Sequence, residues 1–104
     1  MFINLDKACL TSYIFLLVSL SINLVSKSAQ GIYETGCAIC HDSGIAGSPM
    51  IGNKDQWKLR KAKGYEMLVN NAYNGINGMP AKGLCAECTK EEIGIAVQYM
   101  LDTI

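Results

Sequence analysis

The sequence lacks internal repeats, low-complexity tracts and any useful length of strand-like alternation between apolar and polar residues. The first two absences argue against a repeat architecture. The third argues against a sheet, because a half-buried strand alternates with a period of two. With 104 residues, the chain has room for one domain. The sequence therefore predicts an all-α domain of about four short helices joined by long loops.

Charge is also scarce, at 17% of the residues, and no basic cluster is longer than KLRKAK at residues 58–63. Without Lys7, Lys27 and Asp6, the nine basic and nine acidic residues leave a net charge near −1. A nucleic acid is therefore a poor candidate for a partner, because binding it needs a strongly basic surface.

Residues 8–26 carry no charge at all and are almost continuously apolar. Lys7 precedes this segment and the small residues of SKSAQG follow it. A short basic start, an apolar middle and a small-residue exit are typical of a secretory signal, which would be cut near Ala29. Retention as a membrane anchor is the alternative, because roughly 17 to 25 apolar residues span a bilayer.

The expected division is a signal peptide or uncleaved membrane anchor at residues 1–28 and a functional domain at residues 29–104. Cys9 lies ahead of the apolar segment and would leave with a cleaved signal. Both alternatives place the domain outside the cytoplasm, in the periplasm, soluble or tethered to the inner membrane. A domain this small usually needs a disulfide, a metal or a cofactor to stabilise it.

Helical periodicity and turn residues delimit the predicted helices at residues 30–40, 54–64, 65–75 and 90–104. Thr89 and Glu92 form the capping-box pattern before the last helix. The residues expected to face the interior are Ile32, Tyr33, Trp57, Tyr65, Met67, Leu68, Ala72, Tyr73, Ile93, Val97, Tyr99, Met100 and Ile104.

The segment CAICH contains Cys37, Cys40 and His41, the only histidine of the chain. On a helix, positions i, i+3 and i+4 share one face. Two thiols one turn apart can each add to a vinyl group of one haem, and the histidine beside them can reach its iron. The pattern C-x-x-C-H is typical of c-type haem attachment.

Two other sites use cysteines at this spacing. Cys37 and Cys40 could join Cys85 and Cys88 in a zinc site, but the 44 residues between the pairs exceed the roughly 15 to 20 of common zinc ribbons. A thioredoxin-like dithiol would lie in a βαβ unit, and no such unit is apparent.

A haem iron bound by His41 has a sixth position, which a methionine sulfur suits in electron transfer. Met79, in the loop sequence NGMP, is the predicted ligand, with Met50 in reserve. Gly78 would let the backbone approach a flat ligand. The Pro49 carbonyl is expected to orient His41 by accepting a hydrogen bond from its other nitrogen. Trp57 or Arg60 could hydrogen-bond a haem propionate.

Cys85 and Cys88 lie three residues apart in the exported part. They are most simply a local disulfide that holds the turn before the last helix. A reversible dithiol is the alternative.

Three segments together, GIYETGCAICH, GSPMIGNKDQW and NAYNGINGMPAKGLCAECTKEEI, resemble the small bacterial class I cytochromes c. The resemblance covers residues 30–101 and is closest to the c-five type, which has a C-x-x-C pair after its methionine loop. It implies an all-α cytochrome c fold wrapped around one covalently bound haem c. It also implies a non-enzymatic carrier of single electrons between donors and acceptors such as a cytochrome complex, an oxidase or a reductase.

The resemblance assigns roles by position. By this resemblance, Cys37 and Cys40 would form the thioether bonds, and His41 and Met79 would be the axial ligands. Pro49 would orient the histidine, and Cys85 with Cys88 would form the disulfide. Gly31 and Tyr99 would lie where the first and last helices cross. The alternatives are a haem enzyme or gas sensor with an open sixth position, and the haem subunit of a larger dehydrogenase.

Overall fold

A computed structural model describes residues 27–104. The predictions for the apolar leader, its cleavage or anchoring, and Cys9 lie outside the described residues. Five α-helices follow in chain order: α1 Ala29–Gly36, α2 Ala38–His41, α3 Lys54–Lys61, α4 Tyr65–Asn74 and α5 Lys90–Leu101. From residue 27 onward there is no β-strand, only an isolated bridge between Ile76 and Met79, and no helix could cross a membrane. The all-α prediction is confirmed.

The predicted helix at residues 30–40 is in fact two helices, because the backbone turns at Cys37 (φ −127°, ψ −35°). A Cβ at Gly36 would lie 2.7 Å from the Cβ of Cys85, so the end of α1 is packed tightly against the segment before α5. His41, expected in the following loop, is the last residue of α2. The break therefore lies beside a tertiary contact with a segment that is far away in sequence.

The core forms where α1 crosses α5 and where α4 packs on α5. Ile32 and Tyr33 of α1 are buried as predicted, and so are Ile93, Val97 and Met100 of α5. These positions recur at helical spacing, so each helix turns one apolar face inward.

The prediction that Tyr65 and Met67 of α4 are buried is wrong. Tyr65 is 45% exposed and Met67 is 51% exposed, while Val69 and Ala72 supply the buried face. A Cβ at Gly94 of α5 would lie 2.7 Å from the Tyr65 hydroxyl. The tyrosine therefore lies over the edge of α5 instead of entering the core.

Side-chain caps set the starts of α1, α3 and α5. Ser28 accepts a hydrogen bond from the Gly31 N–H, and Asn53 accepts one from Gln56. Thr89 and Glu92 form the predicted capping box, each side chain accepting from the backbone N–H of the other at 3.1 Å. Each cap satisfies an N–H group that has no partner within its helix.

Tyr99 lies at the crossing of α1 and α5, with its ring centroid 5.1 Å from that of Tyr33. A Cβ at Gly31 would meet the Ser28 Oγ at 2.9 Å and no atom of α5 within 4 Å. The contact between the Tyr33 and Tyr99 rings is therefore the feature of the crossing that the structure shows most clearly.

Candidate functional site

A cavity of about 560 Å³ lies between the loops and the helices. Its size is within the roughly 300–1,000 Å³ of small-molecule sites. The predicted site residues Cys37, Cys40, His41, Pro49 and Met79 all line it, although they are spread over 43 sequence positions. The fold therefore gathers the whole predicted constellation on one internal surface.

Cys37 and Cys40 lie on the α1–α2 junction, one helical turn apart. The Cys40 and His41 N–H groups both donate to the Cys37 carbonyl, at 3.3 and 3.0 Å, which closes the turn. Cys37 and His41 are buried, Cys40 is half-buried, and all three side chains line the cavity. Two thiols and an imidazole are thus presented together at its wall.

The protonation of Cys37 argues against a redox dithiol. Burial, with a smaller contribution from Cys40, raises the pKa of the Cys37 thiol to about 11. Reactive cysteines of C-x-x-C oxidoreductases have lowered values instead, because the thiolate is the nucleophile.

The zinc interpretation also lacks support in the structure. Across residues 27–104, no three side chains of His, Cys, Asp or Glu are grouped so as to hold a metal ion. Cys85 and Cys88 are joined to each other in a disulfide in which Cys37 and Cys40 take no part. The two C-x-x-C pairs therefore do not form a four-thiolate centre.

His41 has one ring nitrogen committed to the backbone. Its Nδ1 lies 2.7 Å from the Pro49 carbonyl oxygen. Because a carbonyl only accepts, Nδ1 carries the proton, and Nε2 of the neutral ring keeps its lone pair. The imidazole is therefore oriented as a metal ligand through Nε2.

Trp57 lies beside His41 and hydrogen-bonds to the loop that contains Pro49 and Met50. Its ring lies 6.0 Å from that of His41, at an interplanar angle of 25°. Its Nε1–H donates to the Met50 carbonyl at 2.8 Å, so the prediction that Trp57 bonds a propionate is wrong. Arg60 lines the cavity, but its Nη1 donates to the Gln56 carbonyl.

Met79 lies at the end of a tight turn. The backbones of Ile76 and Met79 exchange two hydrogen bonds, of 3.1 and 2.9 Å, around Asn77 with φ 51°. Gly75 is closely packed, since a Cβ there would lie 3.0 Å from the Ala81 nitrogen. Gly78 lines the cavity, and no protein atom lies within 4 Å of a Cβ at that position. Met79 is half-buried and lines the cavity.

Met50, the reserve ligand, is not among the cavity residues. Its side chain lies against Gly44, where a Cβ would be 3.1 Å from the Met50 Cγ. Of the two loop methionines that sequence reasoning offered, the structure brings only Met79 to the same cavity as His41.

The segment that contains the Cys85–Cys88 disulfide is hydrogen-bonded to Gly36, the residue before Cys37. The Leu84 N–H donates to the Gly36 carbonyl at 2.9 Å, and a Cβ at Gly83 would lie 2.6 Å from that oxygen. Cys85 and Cys88 are both almost fully buried. The segment before α5 thereby holds Cys37 in position.

Sequence reasoning missed most of the cavity wall, because its members are ordinary apolar residues far apart in the chain. The additional apolar lining residues include Leu59, Leu68, Ala72, Ile76, Leu84, Val97 and Met100. Helical periodicity indicated only the burial of those in α4 and α5. The others lie in loops or on a basic helix, where no local pattern identifies them.

Tyr33 makes a further contact that the sequence did not suggest. Its hydroxyl donates to Asp42 Oδ1 at 2.5 Å. Burial, followed by this carboxylate, raises the pKa of Tyr33 well above its usual value. The bond connects α1 to the residue after His41 and so stiffens the turn that carries the site.

Comparison with known proteins shows the family. A family model described as cytochrome C oxidase, cbb3-type, subunit III, matches residues 26–100. Cytochrome c5 of Ectopseudomonas mendocina is 39% identical over 77 residues, which cover 72% of this chain and 88% of that protein. The chain belongs to the class I cytochrome c family. Cytochrome c-555 of Chlorobaculum tepidum is 38% identical over 80 residues, covering 73% of this chain and 74% of the relative.

Solved structures of cytochromes c have the same fold. One is the electron transfer complex of nitrite reductase with cytochrome c, with a TM-score of 0.69, 29% identity, and coverage of 76% of this chain and 96% of that one. Another is a mono-haem ferrocytochrome c from Shewanella putrefaciens, with a TM-score of 0.64, 38% identity, and coverage of 73% and 94%. The predicted cytochrome c fold is confirmed.

This cytochrome c carries one covalently attached haem c with its iron, as its relatives do. The relatives are small monohaem proteins that carry electrons. The cavity fits the group chemically: it has apolar walls, two thiols one turn apart and an imidazole nitrogen with a free lone pair.

Proposed function

We propose that this cytochrome c is a one-electron carrier between redox proteins and is not an enzyme. In this proposal Cys37 and Cys40 form the thioether bonds, and His41 and Met79 are the axial ligands. The observation that carries the proposal is the convergence of these four side chains on one cavity, while Met50 lies elsewhere.

The haem iron, when bound, exchanges one electron between its ferrous and ferric states. The residues of the chain set how readily it does so. A soft methionine sulfur raises the reduction potential relative to a harder ligand. The bond from His41 to the Pro49 carbonyl holds the imidazole in place in both states. The apolar walls exclude water and disfavour added positive charge, which also raises the potential.

The Cys85–Cys88 disulfide belongs to this proposal as a positioning element. It closes the turn between the Met79 loop and α5, and its segment hydrogen-bonds to Gly36 beside Cys37. We assign it the role of fixing the Met79 side of the cavity relative to the Cys37 side.

We place the carrier in the periplasm, soluble or tethered to the inner membrane through residues 8–26. Its partners would be donors and acceptors such as a cytochrome complex, an oxidase or a reductase. A relative of known structure is in complex with nitrite reductase, which supports partners of this class.

An optical redox titration of the purified protein tests the proposal. A carrier should show one reversible transition that fits a one-electron Nernst curve, and its ferrous form should bind carbon monoxide slowly or not at all. A ferrous form that binds carbon monoxide quickly at neutral pH would instead indicate an open sixth position, as in a haem enzyme or gas sensor.

A second candidate is a haem subunit of a larger redox complex, because the matching family model describes an oxidase subunit. Affinity purification of the tagged full chain from its native membrane fraction distinguishes the two. A free carrier elutes alone, whereas a subunit elutes with a partner at fixed stoichiometry.

A further inference from the structure

The charges of this cytochrome c are segregated along the chain. Residues 54–63, which comprise α3 and the turn after it, contain five cations and one anion, a net charge of +4. The other residues between 27 and 104 contain three cations and seven anions, a net charge of −4. We call residues 54–63 the basic segment. A molecule that is neutral overall therefore has a positive side and a negative remainder.

The charge of the basic segment is not neutralised by contacts. Its cations, Lys54, Lys58, Arg60, Lys61 and Lys63, are all exposed. Within residues 27–104, the ion pair closer than 4 Å joins Lys27 to Glu92 at 3.4 Å and involves none of them. The positive potential of the segment therefore reaches into solvent.

The cations form two rows. Lys54, Lys58 and Lys61 recur at spacings of four and three, which places them along one face of α3. Arg60 and Lys63 line the haem cavity instead.

Leu59 is 79% exposed and also lines the cavity. In the sequence it lies between Lys58 of one row and Arg60 of the other. An apolar contact flanked by cations at the edge of the cofactor cavity can form the core of a small interface. Redox encounters typically bury less than about 1,200 Å².

We propose that the basic segment is the docking surface for a redox partner protein that presents a carboxylate-rich face beside its own cofactor. The inference rests on the proposed carrier function. Opposite charges steer such partners together and raise association rates by roughly 10- to 1,000-fold. A protein fits this surface better than a lipid bilayer, because an insulating bilayer over Leu59 and Arg60 would cover the cavity edge without accepting an electron.

The test uses the holoprotein and its Lys58→Gln, Lys61→Gln double variant. Neither lysine lines the cavity, and glutamine preserves helix propensity. A Lys82→Gln, Lys90→Gln double variant makes the same change in net charge outside the segment. Stopped flow follows the transfer of one electron from ferrous protein to an acidic blue-copper protein, whose Cu(II) becomes Cu(I), with no proton exchanged.

We expect the rate constant of the Lys58/Lys61 variant to be lower by about tenfold at an ionic strength of about 0.01 M. It should converge with that of the wild type near 1 M, where charges are screened beyond about 3 Å. The Lys82/Lys90 variant should remain within about twofold of the wild type at both. With the cationic oxidant tris(phenanthroline)cobalt(III), the Lys58/Lys61 variant should react faster.

Equal losses in the two variants, or no loss in either, would overturn the docking surface while leaving the carrier function intact. No transfer from the wild type to either oxidant would overturn the carrier function and the docking surface with it. Binding to vesicles of phosphatidylcholine and phosphatidylglycerol at physiological salt, lost in the Lys58/Lys61 variant, would assign the surface to a membrane. Self-association by sedimentation, lost in that variant, would assign it to a second copy.

Discussion

His41 at the end of α2 and Met79 in a loop line the haem cavity with different kinds of support. His41 is held by a hydrogen bond to the Pro49 carbonyl and by the Trp57 ring. Met79 is held by the backbone bonds of its turn and by packing against the core. Packing alone positions the methionine side chain, whereas a hydrogen bond positions the histidine, so the methionine is the more informative residue to change.

Replacing Met79 by alanine should lower the reduction potential by about 0.2 V, within the roughly 0.8 V that axial ligands span. It should also let ferrous protein bind carbon monoxide quickly, because the sixth position is opened. Redox titration and carbon monoxide spectra measure both effects. Met50→Ala is the matched control, since Met50 lies against Gly44 outside the cavity. If Met50→Ala produced these changes and Met79→Ala did not, the ligand assignment would be wrong.

Gly36 is a second residue whose replacement has a defined consequence. An alanine Cβ would lie 2.7 Å from the Cys85 Cβ, so the end of α1 or the disulfide segment must shift. Overpacking of this kind costs about 1–3 kcal/mol. We expect Gly36→Ala to lower the denaturant midpoint, and Thr35→Ala, at an exposed position of the same helix, to leave it nearly unchanged. Equal stability of Gly36→Ala and wild type would show that the contact is not tight.

At the scale of elements, the sequence was most informative where a local pattern decides the structure. Thr89 and Glu92 predicted the start of α5, and the capping box is formed. The break at Cys37 and the exposure of Tyr65 escaped prediction, because each depends on a contact with a distant segment, Cys85 in one case and Gly94 in the other. Local propensity cannot register such contacts.

The capping box makes part of the stability of α5 depend on pH. The bond from the Thr89 N–H, with smaller contributions that include Lys27, lowers the pKa of Glu92. A lowered folded-state pKa contributes stability above the ordinary glutamate value of about 4.3, and this stability is lost as the pH falls through the folded value.

Glu92→Gln should therefore lower the melting temperature at pH 7, and the difference from wild type should shrink below about pH 4. Thermal melts over this range measure it. Glu91→Gln removes the same charge from an exposed neighbour in the first turn of α5 and should keep the acid sensitivity of the wild type. A constant difference between Glu92→Gln and wild type at every pH would contradict the argument.

The disulfide element can be removed without touching the other C-x-x-C pair. Cys85→Ser with Cys88→Ser should destabilise the protein by about 2 kcal/mol, the entropic value for so short a loop. The haem should stay attached. Thermal melts and the visible spectrum report the two outcomes, with Ala86→Ser as the control inside the same loop. Loss of haem from the double variant would instead place these cysteines in the cofactor site.

On the scale of the whole molecule, the fold class, the site constellation and the family were accessible from sequence, since CAICH and NGMP carry their chemistry locally. The cavity wall was not, because Leu59, Leu68 and Leu84 come together only in three dimensions. The uneven distribution of charge along the chain can be counted from the sequence, although the net charge near zero does not indicate it. The structure adds the position of the basic segment, which lies at the edge of the cavity.

The central claim is that Cys37 and Cys40 hold the one haem, and a peptide map tests it most directly. Trypsin cleaves after lysine and arginine, so the first cysteine pair falls on the peptide that ends at Lys54 and the second on residues 83–90. Protein made in a host with cytochrome c maturation is denatured, checked by its alkaline pyridine haemochrome spectrum, digested and weighed. The account predicts a c-type spectrum and one haem mass on the peptide ending at Lys54. A haem on residues 83–90, or free thiols and no haem on either peptide, would contradict it.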